Sequence, residues 1–471
     1  MKRQYNALLE KTRDAAIRYL DALPDEPVGA TASLDELRER LDRPVPVEPS
    51  SADAVIEQLV RDVEGGLHGV AGGRFFGWVI GGSVPAALAA DWLTSTWDQN
   101  AGMFAVAPAA TVAEEVAGRW LIEILRLPAD VSFAFVTGCQ MAHVTCLAAA
   151  RNAVLTRSGW DVERKGLYGA PPIRIVTADQ RHGTIERALR LLGMGTEQVR
   201  DIAITPSGLE PEQLEHALQS DAGPTIVLLQ AGDLNTGAFD NFNELIPIAH
   251  RYEAWVHVDG AFGLWASASE TYRHLTAGAE KADSWATDGH KWLNVPYDCG
   301  YAFVRDRDAH FRTFGHKASY LDHSDVARDP VDWNPEYSRR ARGFATYAAI
   351  ASLGRSGIAK LVDNACDYAK RIVEGAGALD GIDIVWTPII NQGLLRFRDP
   401  RPGTTEDDHD RFTNAMIRCI VESGDAFFSG TTWRGKRCMR VSVSGWATTL
   451  EDVDRTVTAI HRAYAELEAA S

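Results

Sequence analysis

The strongest constraint on the fold lies between residues 100 and 344, where short apolar runs alternate with helical stretches. Residues 133–136, 173–177, 225–229, 255–258, 284–287 and 301–304 read as strands. Their nearly continuous apolar character is that of strands covered on both faces. Strands alternating with helices predict an α/β fold, a mostly parallel sheet covered by helices on both sides. Before it, residues 1–99 read as an N-terminal helical segment, with Leu8, Leu9, Ala16, Tyr19, Leu20 and Leu23 on one apolar face. After it, residues 345–471 read as a small α+β domain containing a long helix at 347–374, a strand at 440–444 and a closing helix. In that last helix Val453, Val457, Ile460, Tyr464 and Leu467 share a face, and Thr448 with Glu451 makes a capping box. The Pro- and Asp-rich stretch 398–410 reads as a surface loop.

A chain of 471 residues exceeds what one core supports, so two or three packed units are expected. The net charge of −16 disfavours nucleic acid and anionic membranes as partners, because both attract basic surfaces, and leaves a small-molecule ligand. The start, Met1-Lys2-Arg3-Gln4-Tyr5, runs into an amphipathic stretch holding Glu10, Asp14 and Asp21 rather than an apolar leader, and no apolar run reaches membrane-spanning length. A cytoplasmic location is the expectation. The six cysteines show neither Cys-x-x-Cys nor Cys/His ligand spacing, which predicts reduced thiols, no structural disulfide and no zinc or other metal.

Two segments carry the chemistry. Val256-His257-Val258-Asp259-Gly260-Ala261 and Ala286-Thr287-Asp288-Gly289-His290-Lys291-Trp292 place a carboxylate and an amine at the ends of two strand candidates. In a parallel sheet those ends open onto one crevice, so Asp259 and Lys291 can face one ligand. Pyridoxal 5′-phosphate needs both: a lysine amine condenses with its aldehyde, and an aspartate keeps its ring nitrogen protonated. Either residue alone is commonly a turn cap or a surface group.

The remaining parts of such a site have candidates at other strand ends. Thr137-Gly138-Cys139-Gln140 joins a strand to an Ala-rich helix at 141–152, where backbone amides can hold a phosphate or Gly138 can simply turn the chain. His182, in Ala178-Asp179-Gln180-Arg181-His182, can stack on the ring or simply cap the next helix. Thr236, in Asn235-Thr236-Gly237-Ala238, can donate to the cofactor or close its own turn.

Together with Gly73-Arg74-Phe75-Phe76-Gly77-Trp78, Pro85-Ala86-Ala87-Leu88-Ala89-Ala90-Asp91-Trp92 and Asp288-Gly289-His290-Lys291-Trp292-Leu293-Asn294, these motifs resemble the group II pyridoxal-phosphate-dependent decarboxylases. That family includes aromatic-L-amino-acid, histidine, tyrosine and glutamate decarboxylases. The resemblance runs from about Arg74 to Trp446. It implies a fold-type I enzyme, a homodimer with its active sites at the subunit interface, decarboxylating an L-amino acid. It also implies that Lys291 carries the cofactor as an aldimine with His290 beside it, Asp259 pairs with the ring nitrogen, His182 stacks on the ring, Ala261 lies beneath it, and Gly138-Cys139-Gln140 holds the phosphate.

The same resemblance places Trp78, Val79 and Ile80 against the substrate side chain, mildly favouring an aromatic or bulky amino acid. Arg440 is a candidate for pairing with a carboxylate, and the cluster Ser338-Arg339-Arg340-Ala341-Arg342 reads equally as a solvated helix start. One departure stands out. Aromatic-amino-acid decarboxylases carry a proton-donating tyrosine on the loop between the lysine and arginine motifs, whereas residues 322–333 here contain none. Tyr320, Tyr337 and His323 are the nearby substitutes. Loss of that tyrosine is associated in the family with oxidative deamination to an aldehyde; transamination and carbon–carbon cleavage also compete with decarboxylation.

Overall fold

The structure, a computed structural model, describes residues 2–204, 208–219, 223–315 and 327–470. The chain divides into two compact units. One comprises Met1–Ile80, Tyr368–Thr387 and Gly393–Ser471; the other comprises Gly81–Asp367 and Pro388–Gln392.

The larger unit is built on seven strands: β1 (Ser132–Val136), β2 (Arg174–Ala178), β3 (Val199–Ile202), β4 (Thr225–Gln230), β5 (Trp255–Asp259), β6 (Ser284–Asp288) and β7 (Gly300–Val304). Their order in the sheet is β1-β7-β6-β5-β4-β2-β3. β3, β2, β4, β5 and β6 pair parallel, and β7 runs antiparallel to both β6 and β1. All strands except β7 therefore end on the same edge. The registers Gln230↔Asp259 and Asp259↔Ala286 bring the last residues of β4, β5 and β6 level there.

β1, β4, β5, β6 and β7 are buried along their whole length, as their apolar sequences require. The helix Cys139–Arg157 packs on β1, β4, β5, β6 and β7. It is Ala-rich and buried almost all round, so it carries no amphipathic stripe. Its start is two residues earlier than the sequence pattern indicates. The edge strand β3, Val-Arg-Asp-Ile, escaped the sequence pattern because two of its four residues are exposed and charged.

The smaller unit contains a sheet of β8 (Ile382–Trp386), β9 (Gln392–Phe397), β10 (Ser429–Trp433) and β11 (Lys436–Ser442), ordered β10-β11-β9-β8. Residues 1–80 belong to this unit rather than standing as a separate segment. Arg74, fully buried, donates to the carbonyls of Pro24, Glu26, Gly424 and Asp425, and Phe75 stacks on Phe427 with ring centroids 4.6 Å apart. The closing helix Leu450–Ala469 is capped by Thr449 with Asp452, one residue later than the pair Thr448 and Glu451. Residues 406–410 form the first turn of the helix Glu406–Glu422, behind a second capping box of Thr405 and Asp408, so the surface loop is shorter than 398–410.

Candidate active site

The cofactor candidates all follow strands on the shared carboxyl edge: Gly138-Cys139-Gln140 after β1, His182 after β2, Thr236 after β4, Ala261 after β5, and His290 and Lys291 after β6. Their positions follow from strand direction rather than from sequence proximity.

The Lys291 amine lies 3.0 Å from Asp288 Oδ2. Asp288 Oδ1 accepts the Cys139 amide at 2.5 Å, at the first turn of the helix Cys139–Arg157, and lies 3.4 Å from His290 Nε2. His290 accepts the Cys299 amide on Nδ1 at 3.2 Å, which leaves its proton on Nε2, facing Asp288. The His290 ring stacks on Tyr297 at 4.2 Å between centroids. Asp288 is thus a hub that the sequence motif contained but did not mark.

Burial alone would lower the Lys291 pKa, but the Asp288 carboxylate outweighs it, and the value is raised above that of an ordinary lysine. Burial pushes the Cys139 thiol well up, so it is neutral at pH 7 and the anion beside Lys291 is Asp288.

Glycine is required here by close approach. A Cβ on Gly138 would sit 2.9 Å from His290 Cε1, and one on Gly300 would sit 2.5 Å from the Gly138 backbone. A Cβ on Gly81 would overlap the Lys291 carbonyl oxygen. These contacts press the β1 turn against the lysine segment.

Asp259 ends β5 with its carboxylate held on two sides. The Ala261 amide donates to Oδ1 at 3.1 Å, and His143 Nε2 lies 3.5 Å from Oδ2. His143, from the first turns of the buried helix, is the other site residue sequence reasoning missed. Burial lowers its pKa to about 3, so its ring is neutral. Cys139, His143 and Asp259 bring potential metal-ligand atoms within 4.8 Å of one another. With the thiol protonated, the trio reads as a hydrogen-bonded cluster.

Gln140 donates to the Thr184 carbonyl at 3.2 Å, and its Oε1 is buried without a hydrogen-bond partner among the described residues. That bond ties the β1 turn to the start of the helix Gly183–Leu191, where His182 caps Thr184 through Nδ1. Thr236 is buried, and its hydroxyl donates to Asp233 at 2.9 Å and accepts the Ala238 amide, closing its own turn.

The donor set fits pyridoxal phosphate. It offers an amine, a fixed carboxylate, a glycine turn at a helix start and an unsatisfied buried acceptor. Because Asp288 already holds the Cys139 amide, a phosphate at this helix start shares that end with a carboxylate.

Trp78, Val79, Ile80 and Arg440 belong to the smaller unit. Trp78 is half exposed with φ 51°, beside Phe427 and Phe75; Val79 is buried and Ile80 partly so. Arg440 is buried on β11, opposite Ser429 of β10. Tyr320 and His323 lie outside the described residues.

The family model "Pyridoxal-dependent decarboxylase conserved domain" matches residues 35–398. The chain belongs to the pyridoxal-dependent decarboxylase family. It is a pyridoxal-phosphate-dependent carboxy-lyase acting on an amino acid. Among its relatives, an aromatic-L-amino-acid decarboxylase of Bacillus atrophaeus is 27% identical over 93% of this chain and 91% of its own length. A 4-hydroxyphenylacetaldehyde synthase of Rhodiola rosea is 26% identical over 88% of this chain and 86% of its own. The crystal structure of an Oryza sativa TDC with PLP and tryptamine superposes with a TM-score of 0.92, covering 99% of each chain at 24% identity. That likeness confirms the fold-type I architecture. No helix among the described residues is long and apolar enough to cross a membrane.

Proposed function

We propose that this decarboxylase acts on an aromatic or bulky L-amino acid, with Lys291 as the residue that carries the cofactor and Asp259 as the partner of its ring nitrogen. The observation that carries the reading is the level placement of the β5 and β6 ends, with Asp259 opposite Ala286 and Lys291 in the turn that β6 leads into.

When bound, pyridoxal phosphate supplies an aldehyde that reacts with amines and a ring that withdraws electrons from the substrate Cα. The protein supplies the rest. Asp288 holds a proton on the Lys291 amine until the lysine is engaged, and accepts that charge again whenever the amine is released. Asp259, fixed by the Ala261 amide, presents a carboxylate to a protonated nitrogen. Gly138 and the amides behind it receive the phosphate, and His182 and Gln140 border the same turn. Decarboxylation rather than another outcome depends on holding the substrate carboxylate perpendicular to the ring, which is a matter of orientation.

A second reading is favoured by one feature. Residues 322–333 lack a tyrosine, and relatives include an aldehyde synthase, so aldehyde formation is the competing reaction. Purified protein loaded with pyridoxal phosphate and offered the standard amino acids separates the two. Carbon dioxide with amine and no peroxide supports decarboxylation; ammonia, aldehyde and peroxide support the second. The homodimer with a shared site belongs to this proposal and is tested by sedimentation. The cytoplasmic location belongs to it too, tested by cell fractionation.

A further inference from the structure

We propose that His143, His257 and Ser284 form a one-directional hydrogen-bond chain that positions the Asp259 carboxylate, with His143 as a positioning residue for the cofactor's ring nitrogen. The inference rests on the proposed role of Asp259 and adds what holds that residue in place.

The chain begins at Trp255, whose indole can only donate, and does so to Ser284 Oγ at 2.9 Å. Ser284 Oγ lies 2.9 Å from His257 Nδ1, His257 Nε2 lies 3.0 Å from His143 Nδ1, and His143 Nε2 lies 3.5 Å from Asp259 Oδ2. Ser284, His257 and His143 are fully buried. Burial holds both imidazoles neutral, so each carries a single proton.

Two proton arrangements are then open along the chain. If Ser284 accepted from His257, then His257 Nε2 would accept from His143 Nδ1, and His143 would present a lone pair to a carboxylate. That end is repulsive. In the other arrangement Ser284 donates to His257 Nδ1, His257 donates to His143 Nδ1, and His143 Nε2–H points at Asp259 and, at 3.4 Å, at Cys139 Sγ. The carboxylate selects this direction, and every donor has an acceptor.

The consequence is a carboxylate held between the Ala261 amide on one oxygen and an imidazole N–H on the other. An acceptor that is already oriented before the cofactor arrives loses less freedom on binding, so the chain raises cofactor affinity without touching the cofactor. The protein matrix, not solvent, sets the geometry of the pair.

The test is the affinity of the apoprotein for pyridoxal phosphate, followed by the visible absorbance of the bound cofactor, in a double-variant cycle. His143→Leu weakens binding about tenfold, the scale of one lost hydrogen bond to a charged group. His143→Gln, whose amide can both accept from His257 and donate to Asp259, recovers most of that loss. In an Asp259→Asn background His143→Leu costs less than about threefold, because the two act through one interaction.

The proposal is overturned if His143→Leu binds normally, if glutamine does not rescue, or if the loss is as large in the Asp259→Asn background. If Asp259→Asn alone leaves both affinity and absorbance unchanged, the proposed role of Asp259 itself fails. Should His143→Leu not fold, Ser284→Ala with melting monitored in parallel replaces it, with a smaller loss in the same direction expected and no loss counting against the chain.

Discussion

Asp288 sits three residues before Lys291 and meets the lysine amine, the His290 ring and the first amide of the helix Cys139–Arg157. One carboxylate therefore sets the protonation of the reactive amine and the electrostatics of the phosphate end together. Asp288→Asn removes the anion that offsets burial, so the Lys291 pKa in the apoprotein falls and more free amine is present at pH 7. Measuring the pH dependence of Lys291 reductive methylation checks this, and an unchanged profile contradicts the assigned cause. The neighbouring glycines make a steric claim. Gly300→Ala drives a methyl into the Gly138 backbone and is expected to cost ~1–3 kcal/mol, read as a lower urea midpoint. A variant as stable as the parent would show that the β1 turn is free to retreat.

At the scale of elements, legibility in the sequence followed burial. β4 and β5 were visible because a strand covered on both faces is apolar throughout, whereas β3 exposes Arg200 and Asp201 and lost its signal. Asp259 and Lys291 could be placed because strand ends follow from topology. His143 and Asp288 could not, since their roles depend on which helix face meets β5 and on a turn pressed close by Gly300. The arginine cluster teaches the same lesson. Arg339 is buried and pairs with Glu114 at 2.7 Å while donating to the carbonyls of Ala101 and Phe135, and Arg342 is buried against Asp298. These partners are remote in sequence, so the cluster read there equally as a solvated helix start. Arg339→Met strands the fully buried Glu114 carboxylate, with Arg328 at 3.4 Å as its remaining cation. It is expected to cost ~3–5 kcal/mol of unfolding free energy, measured by chemical denaturation. A loss below about 1 kcal/mol, on the order of an exposed pair, would contradict the account.

For the whole molecule, the buried imidazoles impose a pH dependence. His143, His257 and His310 are all lowered by burial to about 3, from an ordinary value of 6.5. A group whose folded pKa is depressed stabilises the fold above its unfolded pKa, and that contribution is lost as pH falls toward the folded value. Stability of the apoprotein should therefore decline as pH drops below 6.5 and continue declining toward 3, with net proton uptake on unfolding. Melting temperature across that range checks the sign, and a flat or rising profile would contradict buried neutral rings. The central claim remains the covalent attachment of the cofactor at the end of β6. Borohydride reduction of the loaded enzyme, followed by peptide mass spectrometry, tests it most directly. The account predicts a phosphopyridoxyl group on Lys291 alone, lost in Lys291→Ala; a label on another lysine, or none on Lys291, would contradict it.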